Sequence, residues 1–279
     1  MQAIICLAIY KNRVKGIVRS CLVDLLLLLG PDRWREAYPF AGGSNQSPVA
    51  ILTKHVHSDP ILLPWFTGYD PGASKTIKNT GKGCRIAFDD TFDRSVLRGG
   101  PLPNIYRLRQ LLIHWGSTDD KGSEHVVDLQ RHAGEIQLVH WCSKYSNYLD
   151  ACRKNDGAAI LAMFLKVGKN PKPEMKRIIE ELDAIKTKGK EVPFPNFDPS
   201  ILFPQNRNYY TYQGSFTTPP CEECVTWLIL KEPIIVSEEQ MAKFRTLSCN
   251  AANEPFSPLE DNWRPLQPLN QRMIRTTCQ

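Results

Sequence analysis

The segment Tyr106-Arg107-Leu108-Arg109-Gln110-Leu111-Leu112-Ile113-His114-Trp115 predicts a β-strand that ends at Gly116. A second segment, Glu135-Ile136-Gln137-Leu138-Val139-His140-Trp141, alternates polar and apolar residues over part of its length and predicts another strand. Residues i and i+2 of a strand lie on the same face, so Leu112 and His114 point the same way. Gln137 meets them if the two strands are neighbours in register. These two strands therefore decide which side chains lie at the centre of the fold.

Further strands are predicted outside this centre. The chain is divided into short segments by 21 prolines and 17 glycines. Two of these segments, Ala158–Leu165 and Val225–Leu230, are nearly continuous apolar runs, as expected of strands buried on both faces. The pattern predicts a β-rich fold, mainly β in the α+β class, without a visible domain boundary after Gly30.

Two peripheral helices are predicted from periodicity and capping signals. Apolar residues recur at helical spacing from Met175 to Ile185, and Gly189 is placed where a C-terminal cap would end that helix. Ser237 and Gln240 have the spacing of a capping box for a second helix. We therefore expect a single domain over residues 30–279, with short helices around the sheet.

Composition and charge exclude several classes of protein. Hydrophobic residues make up 42% of the chain, which argues against disorder, and the net charge of +6 comes without a dense basic run. No nucleic-acid partner is predicted. The nine cysteines are an odd number at uneven spacing, which favours reduced thiols over a disulfide framework. The lone motif Cys221-Glu-Glu-Cys224 is weak evidence for a zinc site, because strong zinc signatures pair two such elements.

The first 29 residues are atypical. The five leucines of Leu25–Leu29 follow an apolar stretch that contains Arg19 and Asp24. This stretch is shorter than the roughly 20 apolar residues that a membrane-spanning helix needs, so no membrane span is predicted. Gly30-Pro31 does not resemble a signal-peptide cleavage site. We interpret residues 1–29 as an N-terminal segment that is either disordered or a variant of the gene model.

Several separated blocks closely resemble the α-carbonic anhydrases. Besides the two central strands, the resembling blocks are Asn45-Gln46-Ser47-Pro48, Phe88-Asp89-Asp90, Gly122-Ser123-Glu124-His125, Gly214-Ser215-Phe216-Thr217-Thr218-Pro219-Pro220 and Asn262-Trp263-Arg264-Pro265. Within the family, the blocks at Leu97–Pro103, Lys186–Glu191 and Tyr212–Cys224 most resemble the cytosolic muscle-type isozyme III. The resemblance implies a central twisted, mostly antiparallel sheet, a cytoplasmic monomer and the reversible hydration of carbon dioxide to bicarbonate.

The family pattern for holding zinc is altered in this chain. The resemblance implies three zinc-binding histidines, and their positions correspond here to Leu112, His114 and Gln137. Catalytic zinc takes three protein ligands and a water whose pKa falls to about 7. Leucine offers no lone pair, and glutamine offers only a neutral amide oxygen. We therefore expect zinc to be absent or weakly bound, with His114 as a residual ligand, and hydration to be lost or severely impaired.

Three interpretations remain open at this point. One is a pseudoenzyme that binds a protein partner, as carbonic-anhydrase-related proteins without hydratase activity do. Another is a weak zinc-dependent enzyme acting on carbon dioxide and bicarbonate, in which His114 and another residue hold the metal. Of the other histidines, His132 is predicted to lie too far along its strand, and His125 and His140 match positions with structural hydrogen bonds. The last is a degenerate gene copy.

Other site residues of the family pattern are retained. Thr217 matches the threonine that accepts a hydrogen bond from zinc-bound hydroxide, and Glu124 matches the carboxylate that orients it. Gln110 and Glu135 match partners of the first and third zinc histidines, and His125 matches a buried structural histidine.

The substrate pocket and the proton-transfer position are also assigned by resemblance. The predicted pocket residues are Val139, Ile160, Phe216, Thr218 and Trp227. Lys82 occupies the position of the proton-shuttling histidine of fast isozymes, and an ordinary lysine pKa near 10.4 suits proton transfer at pH 7 poorly. The Trp-Gly-Tyr-Gly block that usually precedes Gly30-Pro31 is replaced by Val23–Leu29. The active-site tyrosine of that block is therefore missing from the sequence.

Overall fold

The computed structural model describes residues 30–277, so the interpretation of residues 1–29 lies outside the described residues. Within that range the fold is built mainly from strands. The strands are β1 (Ala50–Ile51), β2 (His57–Ser58), β3 (Trp65–Gly68), β4 (Ser74–Asn79), β5 (Cys84–Phe88), β6 (Val96–Gly99), β7 (Tyr106–Trp115), β8 (Val126–Val127), β9 (Gly134–Cys142), β10 (Ala158–Gly168), β11 (Glu191–Pro193), β12 (Tyr209–Gly214), β13 (Val225–Leu230), β14 (Ile234–Ser237) and β15 (Arg275–Thr276). The α-helices are α1 (Trp34–Ala37), α2 (Tyr148–Ala151), α3 (Lys176–Glu181) and α4 (Glu238–Phe244).

One large mixed sheet organises the described part of the chain. Its order is β11-β4-β5-β7-β9-β10-β13-β12-β15-β2, with β14 added beside β10 and β3 joined through β6 to β7. Most neighbours are antiparallel, whereas β10 pairs in parallel with both β13 and β14. A separate two-stranded parallel sheet joins β1 to β8. The predicted single-domain fold with a mostly antiparallel central sheet is confirmed.

The sheet separates two apolar cores. Alternate residues of each strand point to opposite faces, so Leu138 and Gln137 of β9 belong to different environments. On one face, a row of fully buried leucines crosses β7, β9, β10 and β13 through directly paired positions. These residues are Leu111, Leu138, Leu161 and Leu228. On the other face, Val139, Ile160 and Trp227 form the centre of the second core. The polar residues His114, Glu135 and Gln137 lie on this second face.

The apolar runs and helices are placed largely as predicted. The run Val225–Leu230 coincides with β13, and the run Ala158–Leu165 lies within β10 and is fully buried. The Ser237–Gln240 capping box is present at the start of α4. The predicted helix from Met175 to Ile185 is wrong in extent, because regular α-helix ends at Glu181 and turns follow. Gly189 therefore does not cap it.

Gly189 is needed for a different reason. It has a φ of +87°, a left-handed conformation that glycine adopts without steric cost, and it lies in the turn that leads into β11. Among the described residues, no helix is both long and apolar enough to cross a membrane.

Replacement of Leu138 by alanine should destabilise the protein strongly, because it opens a cavity in the middle of the leucine row. Leu→Ala changes at fully buried sites cost about 2–5 kcal/mol of unfolding free energy. Urea unfolding of the Leu138→Ala variant measures this loss. The control is Ile235→Ala on β14, where the side chain is 45% exposed and the loss should be clearly smaller. Equal losses in the two variants would contradict the placement of Leu138 in the core.

Candidate active site

The register of the central strands brings the predicted ligand positions together. β7 and β9 are antiparallel neighbours, and Leu112 is paired directly with Gln137, whereas His114 is paired with Glu135. Gln137 also pairs with Ala162 of β10, which places it in the interior of the sheet. Its side chain is 1% exposed. The three positions therefore share one face of two adjacent strands, the arrangement expected if the strands are neighbours in register.

The side chain of Gln137 is engaged by two buried carboxylates. Its amide nitrogen Nε2 donates to Glu124 Oε2 at 2.8 Å and to Glu135 Oε1 at 3.0 Å. Glu124 and Glu135 are 1% and 0% exposed, so neither carboxylate has access to bulk water. The two N–H bonds of one amide group thus satisfy two acceptors whose burial would otherwise be costly.

His114 is held at one ring nitrogen and unpartnered at the other. Its Nδ1 lies 2.8 Å from the backbone carbonyl oxygen of Asn262, which fixes the orientation of the ring. Among the described residues, Nε2 has no hydrogen-bond partner, although it is buried and lies 3.7 Å from Glu124 Oε2. The ring therefore presents one free nitrogen towards the Glu124 carboxylate.

Glu124 is occupied differently from the pattern that the family resemblance implies. Besides the Gln137 amide, it accepts a hydrogen bond from the backbone N–H of Arg264 at 2.9 Å. Thr217 is nearly buried, yet within residues 30–277 no hydrogen bond joins it to Glu124. The carboxylate expected to orient Thr217 is thus bonded to Gln137, a position that the resemblance assigns to a zinc histidine.

Glu135 belongs to a buried chain of polar groups. It accepts from the backbone N–H of His125 at 2.8 Å, and its Oε1 lies 3.0 Å from His125 Nδ1. The other nitrogen of His125 lies 2.8 Å from the hydroxyl of Tyr212, which in turn lies 2.8 Å from Ser47 Oγ. Burial acts to raise the pKa of Glu135, but the His125 interactions and the Gln137 hydrogen bond outweigh it and lower the pKa to about 2. The carboxylate is therefore held in its charged form.

A cavity of about 140 Å³ opens beside these residues. Its polar side includes Gln110 and Gln137, and Leu112 faces it from β7. The remaining lining residues are Val139, Tyr148, Leu149, Cys152, Ile160, Phe216, Thr217, Thr218, Pro219, Pro220 and Glu222. Of the predicted pocket residues, Trp227 is not among those that line this cavity. It is fully buried, donates to the carbonyl of Ser215 at 3.2 Å and packs edge-on against His125.

Lys82 lies at a second cavity, of about 290 Å³, which Thr217 and Thr218 also line. This cavity is also lined by Glu124, Trp263 and Arg264. Lys82 itself is exposed and follows the turn at Gly81. The two cavities share Thr217, Thr218 and Pro219 and therefore adjoin at this segment.

Comparison with known proteins identifies the family that this chain resembles. A sequence profile of the eukaryotic-type carbonic anhydrases matches residues 29–278. Carbonic anhydrase 3 of Sus scrofa is 58% identical over 248 residues, which cover 89% of this chain and 95% of that protein. Carbonic anhydrase 3 of Homo sapiens and of Rattus norvegicus are each 57% identical over the same coverage.

The chain belongs to the eukaryotic-type carbonic anhydrase family.

The side chains at the positions that the resemblance assigns to zinc do not match a zinc ligand set. Leu112 has no donor atom, and the Gln137 amide nitrogen is committed to two carboxylates. His114 contributes one imidazole nitrogen. Within residues 30–277, no group of three or more His, Cys, Asp or Glu side chains is arranged to hold a metal ion. Zinc at a catalytic carbonic anhydrase site needs three such donors, so this donor set does not fit it.

Three other buried or partly buried histidines have contacts of their own. His125 is bonded at both ring nitrogens within the polar chain described above. His140 contacts the hydroxyl of Tyr69 at 2.9 Å on the opposite side of the sheet, and burial lowers its pKa to about 3. His132 stacks on Phe164 with ring centroids 4.4 Å apart.

Sequence reasoning missed several contacts of this site. The sequence predicts Gln137 only as a poor metal ligand and gives no sign that its amide bridges Glu124 and Glu135. It also did not single out Tyr148 or Cys152 as cavity residues. The carbonyl that holds His114 belongs to Asn262, the first residue of the block Asn262-Trp263-Arg264-Pro265 that resembles the family. That resemblance was the signal in the sequence that could have pointed to this contact.

Replacement of Gln137 by leucine should destabilise the protein by about 2–4 kcal/mol, because it leaves two buried carboxylates without their shared donor. Urea unfolding at neutral pH measures the change. The matched control is Gln110→Leu on the neighbouring strand, where the side chain is only half-buried. It should cost less than about 1 kcal/mol. A Gln137→Leu variant as stable as this control would contradict the bridging role of the amide.

Proposed function

We propose that this carbonic anhydrase family member does not retain zinc at the family position, and that its hydration of carbon dioxide is lost or severely impaired. The observation that supports the proposal is the pair of hydrogen bonds from Gln137 Nε2 to Glu124 and Glu135, directly opposite Leu112. The Gln137 amide nitrogen is thereby committed as a hydrogen-bond donor, and the residue at the position of the third zinc ligand offers a metal ion only a neutral amide oxygen.

The proposed impairment concerns the orientation of the attacking oxygen as well as the binding of the metal. In the family pattern, Glu124 orients Thr217, which fixes the direction of the attacking oxygen. Here Glu124 Oε2 accepts from Gln137, and Oε1 accepts from the backbone of Arg264. Both carboxylate oxygens are thus engaged by groups other than Thr217. Even if a metal ion bound weakly at this site, the contact by which Glu124 orients Thr217 would be missing.

A weak zinc-dependent carbonic anhydrase is the second candidate, and one observation favours it. His114 keeps the hydrogen bond from Nδ1 to the Asn262 carbonyl and has a buried, unpartnered Nε2 within the described part of the chain. A histidine held at one nitrogen by a carbonyl, with the other free, has the arrangement of a metal ligand. Carbon dioxide and bicarbonate would then be its substrates.

The remaining proposals rest on resemblance and on the sequence. They are a protein-binding role in place of hydration, a cytoplasmic monomer and a domain that starts at residue 30. Under the proposed function, the cavity beside Val139 and Ile160 remains as a feature of the fold without serving turnover.

Metal analysis and stopped-flow hydration distinguish the two candidates. The full chain, purified without added metal and then exposed to zinc and dialysed, should retain much less than one zinc per chain. The Leu112→His/Gln137→His double variant should retain close to one zinc per chain, because it restores three histidines and releases Glu124 from the amide. It should also gain hydration that a chelator abolishes.

The single variants are the matched controls. Leu112→His and Gln137→His should each bind zinc more weakly than the double variant, because each leaves one ligand position without an imidazole. Chelator-sensitive hydration by the unmodified chain would overturn the proposal in favour of the weak enzyme. A folded double variant that binds no zinc would show that the surroundings of the site, and not only its ligands, have changed.

A further inference from the structure

The orientation of the Gln137 amide determines which of its atoms can meet a ligand. Its nitrogen Nε2 faces Glu124 and Glu135, because an ionised carboxylate accepts hydrogen bonds and cannot donate them. The amide oxygen Oε1 therefore points away from these two groups. Gln137 lines the 140 Å³ cavity, and within residues 30–277 its Oε1 accepts no hydrogen bond and is not sealed off. The cavity thus has a free hydrogen-bond acceptor at its buried end.

Negative charge lies behind this oxygen and beside it. Glu135 is held in its charged form, and its Oε1 is 3.0 Å from Gln137 Nε2. A hydrogen bond to a charged acceptor polarises the amide that donates it, so the oxygen of Gln137 becomes a stronger acceptor. Among the described residues that line the cavity, Glu222 alone carries a charged side chain. The lining is therefore negative and rich in acceptors.

The carboxyl group of Glu222 lacks a cationic partner in the described part of the chain. Its side chain is partly buried, and burial raises its pKa because no positive charge offsets the loss of water. The neighbouring Glu223 differs, since it accepts hydrogen bonds from the backbone of Asn45 and the amide of Gln46. A cation in the cavity would supply the opposite charge that Glu222 lacks.

Two aromatic side chains form part of the cavity wall. Tyr148 and Phe216 both line it, and their ring centroids are 6.4 Å apart. The faces of such rings attract positive charge. The guanidinium of Arg109 already lies 4.3 Å from the centre of the Tyr148 ring, but it is paired with Asp90 at 2.6 Å and does not line the cavity. The aromatic part of the wall therefore favours the same sign of ligand charge as the acceptors do.

The size of the cavity limits the body of the ligand. An apolar cavity of about 150 Å³ holds one benzene molecule, so this cavity matches a single five- or six-membered ring. Leu112, Val139 and Ile160 give such a ring an apolar surface. Leu149 also lines the cavity and is 70% exposed, so a ligand can enter from the protein surface.

We propose that this cavity binds a ring-sized organic ammonium ion. An N–H group of the ligand bonds to Gln137 Oε1, Glu222 balances its charge, and its ring packs on the apolar wall. The inference rests on the proposed function, because a zinc ion at the family position would place two positive charges beside the ligand. The preferred ligand charge is thus opposite to that of bicarbonate.

Cyclopentylammonium is the probe, because it joins one five-membered ring to one ammonium group. Calorimetric titration of the full chain measures its affinity, and nuclear Overhauser contacts from its ring protons to the methyl groups of Val139 and Ile160 locate it. Cyclopentanol and cyclopentanecarboxylate are the neutral and negative controls. Cyclopentylammonium should bind about tenfold more tightly than cyclopentanol, because its hydrogen bonds are charge-assisted, and cyclopentanecarboxylate should bind most weakly. Tighter binding of the carboxylate, or contacts only outside the cavity, would overturn the proposal.

The Glu222→Gln variant tests the source of the charge preference. It keeps the size and an acceptor oxygen of the side chain but removes the negative charge, so the preference for cyclopentylammonium over cyclopentanol should fall to about twofold. Binding of cyclopentanol should not change. The matched control is Glu180→Gln on α3, where the carboxyl group is 60% exposed and outside the cavity, and the preference should remain about tenfold. An undiminished preference in Glu222→Gln would contradict the assigned role of this carboxyl group.

Zinc analysis of the same preparation separates this inference from the proposed function. A chain that holds much less than one zinc and does not bind cyclopentylammonium would overturn the inference alone. A chain that holds close to one zinc would overturn the proposed function and the inference together. In the zinc-loaded Leu112→His/Gln137→His variant, cyclopentylammonium binding should be lost, because the amide oxygen is gone and the metal repels the ammonium group.

Discussion

The centre of this structure depends on how two carboxylates are accommodated where water cannot reach them. Burial of an ionised carboxylate is costly unless hydrogen bonds replace those lost from water. Glu124 and Glu135 share one neutral donor group, the side-chain amide of Gln137, and each receives further N–H bonds from the neighbouring backbone. The neutral amide supplies hydrogen bonds to both carboxylates without supplying charge. Loss of this one group would leave both acceptors short of a partner at once.

The position of that amide is fixed by the sheet. Gln137 lies in the middle of β9, between β7 and β10, and a shift of register by one residue would turn it towards the opposite core. The leucine row on the opposite face opposes such a shift, because it would move Leu138 and its paired neighbours out of the apolar interior. The packing of one face thus determines the hydrogen bonding of the other. For this reason the Leu138→Ala and Gln137→Leu changes test two sides of the same strand.

The fold was predictable from sequence because alternation, apolar runs and a capping box are local signals. The runs at Ala158–Leu165 and Val225–Leu230 fall within β10 and β13, and the Ser237–Gln240 box starts α4. The contacts within the site were less accessible, because they join residues distant along the chain. The bond between Arg264 and Glu124 spans 140 positions, and the bond between His114 and Asn262 spans 148. The extent of α3 was misjudged because helical spacing continues into turns after Glu181.

Leu112 and Gln137, at two positions that the resemblance assigns to zinc ligands, each suit the surroundings that the structure gives them. Leu112 packs against the apolar core that contains Val139 and Ile160, so an aliphatic side chain is accommodated there without an unsatisfied polar group. Position 137 faces carboxylates, and glutamine provides the N–H donors that they need. The reverse arrangement, leucine at 137 and glutamine at 112, would place an aliphatic group against two buried charges. The hydrogen-bonding needs of the two buried carboxylates are thus met by the Gln137 amide and by backbone N–H groups of this chain.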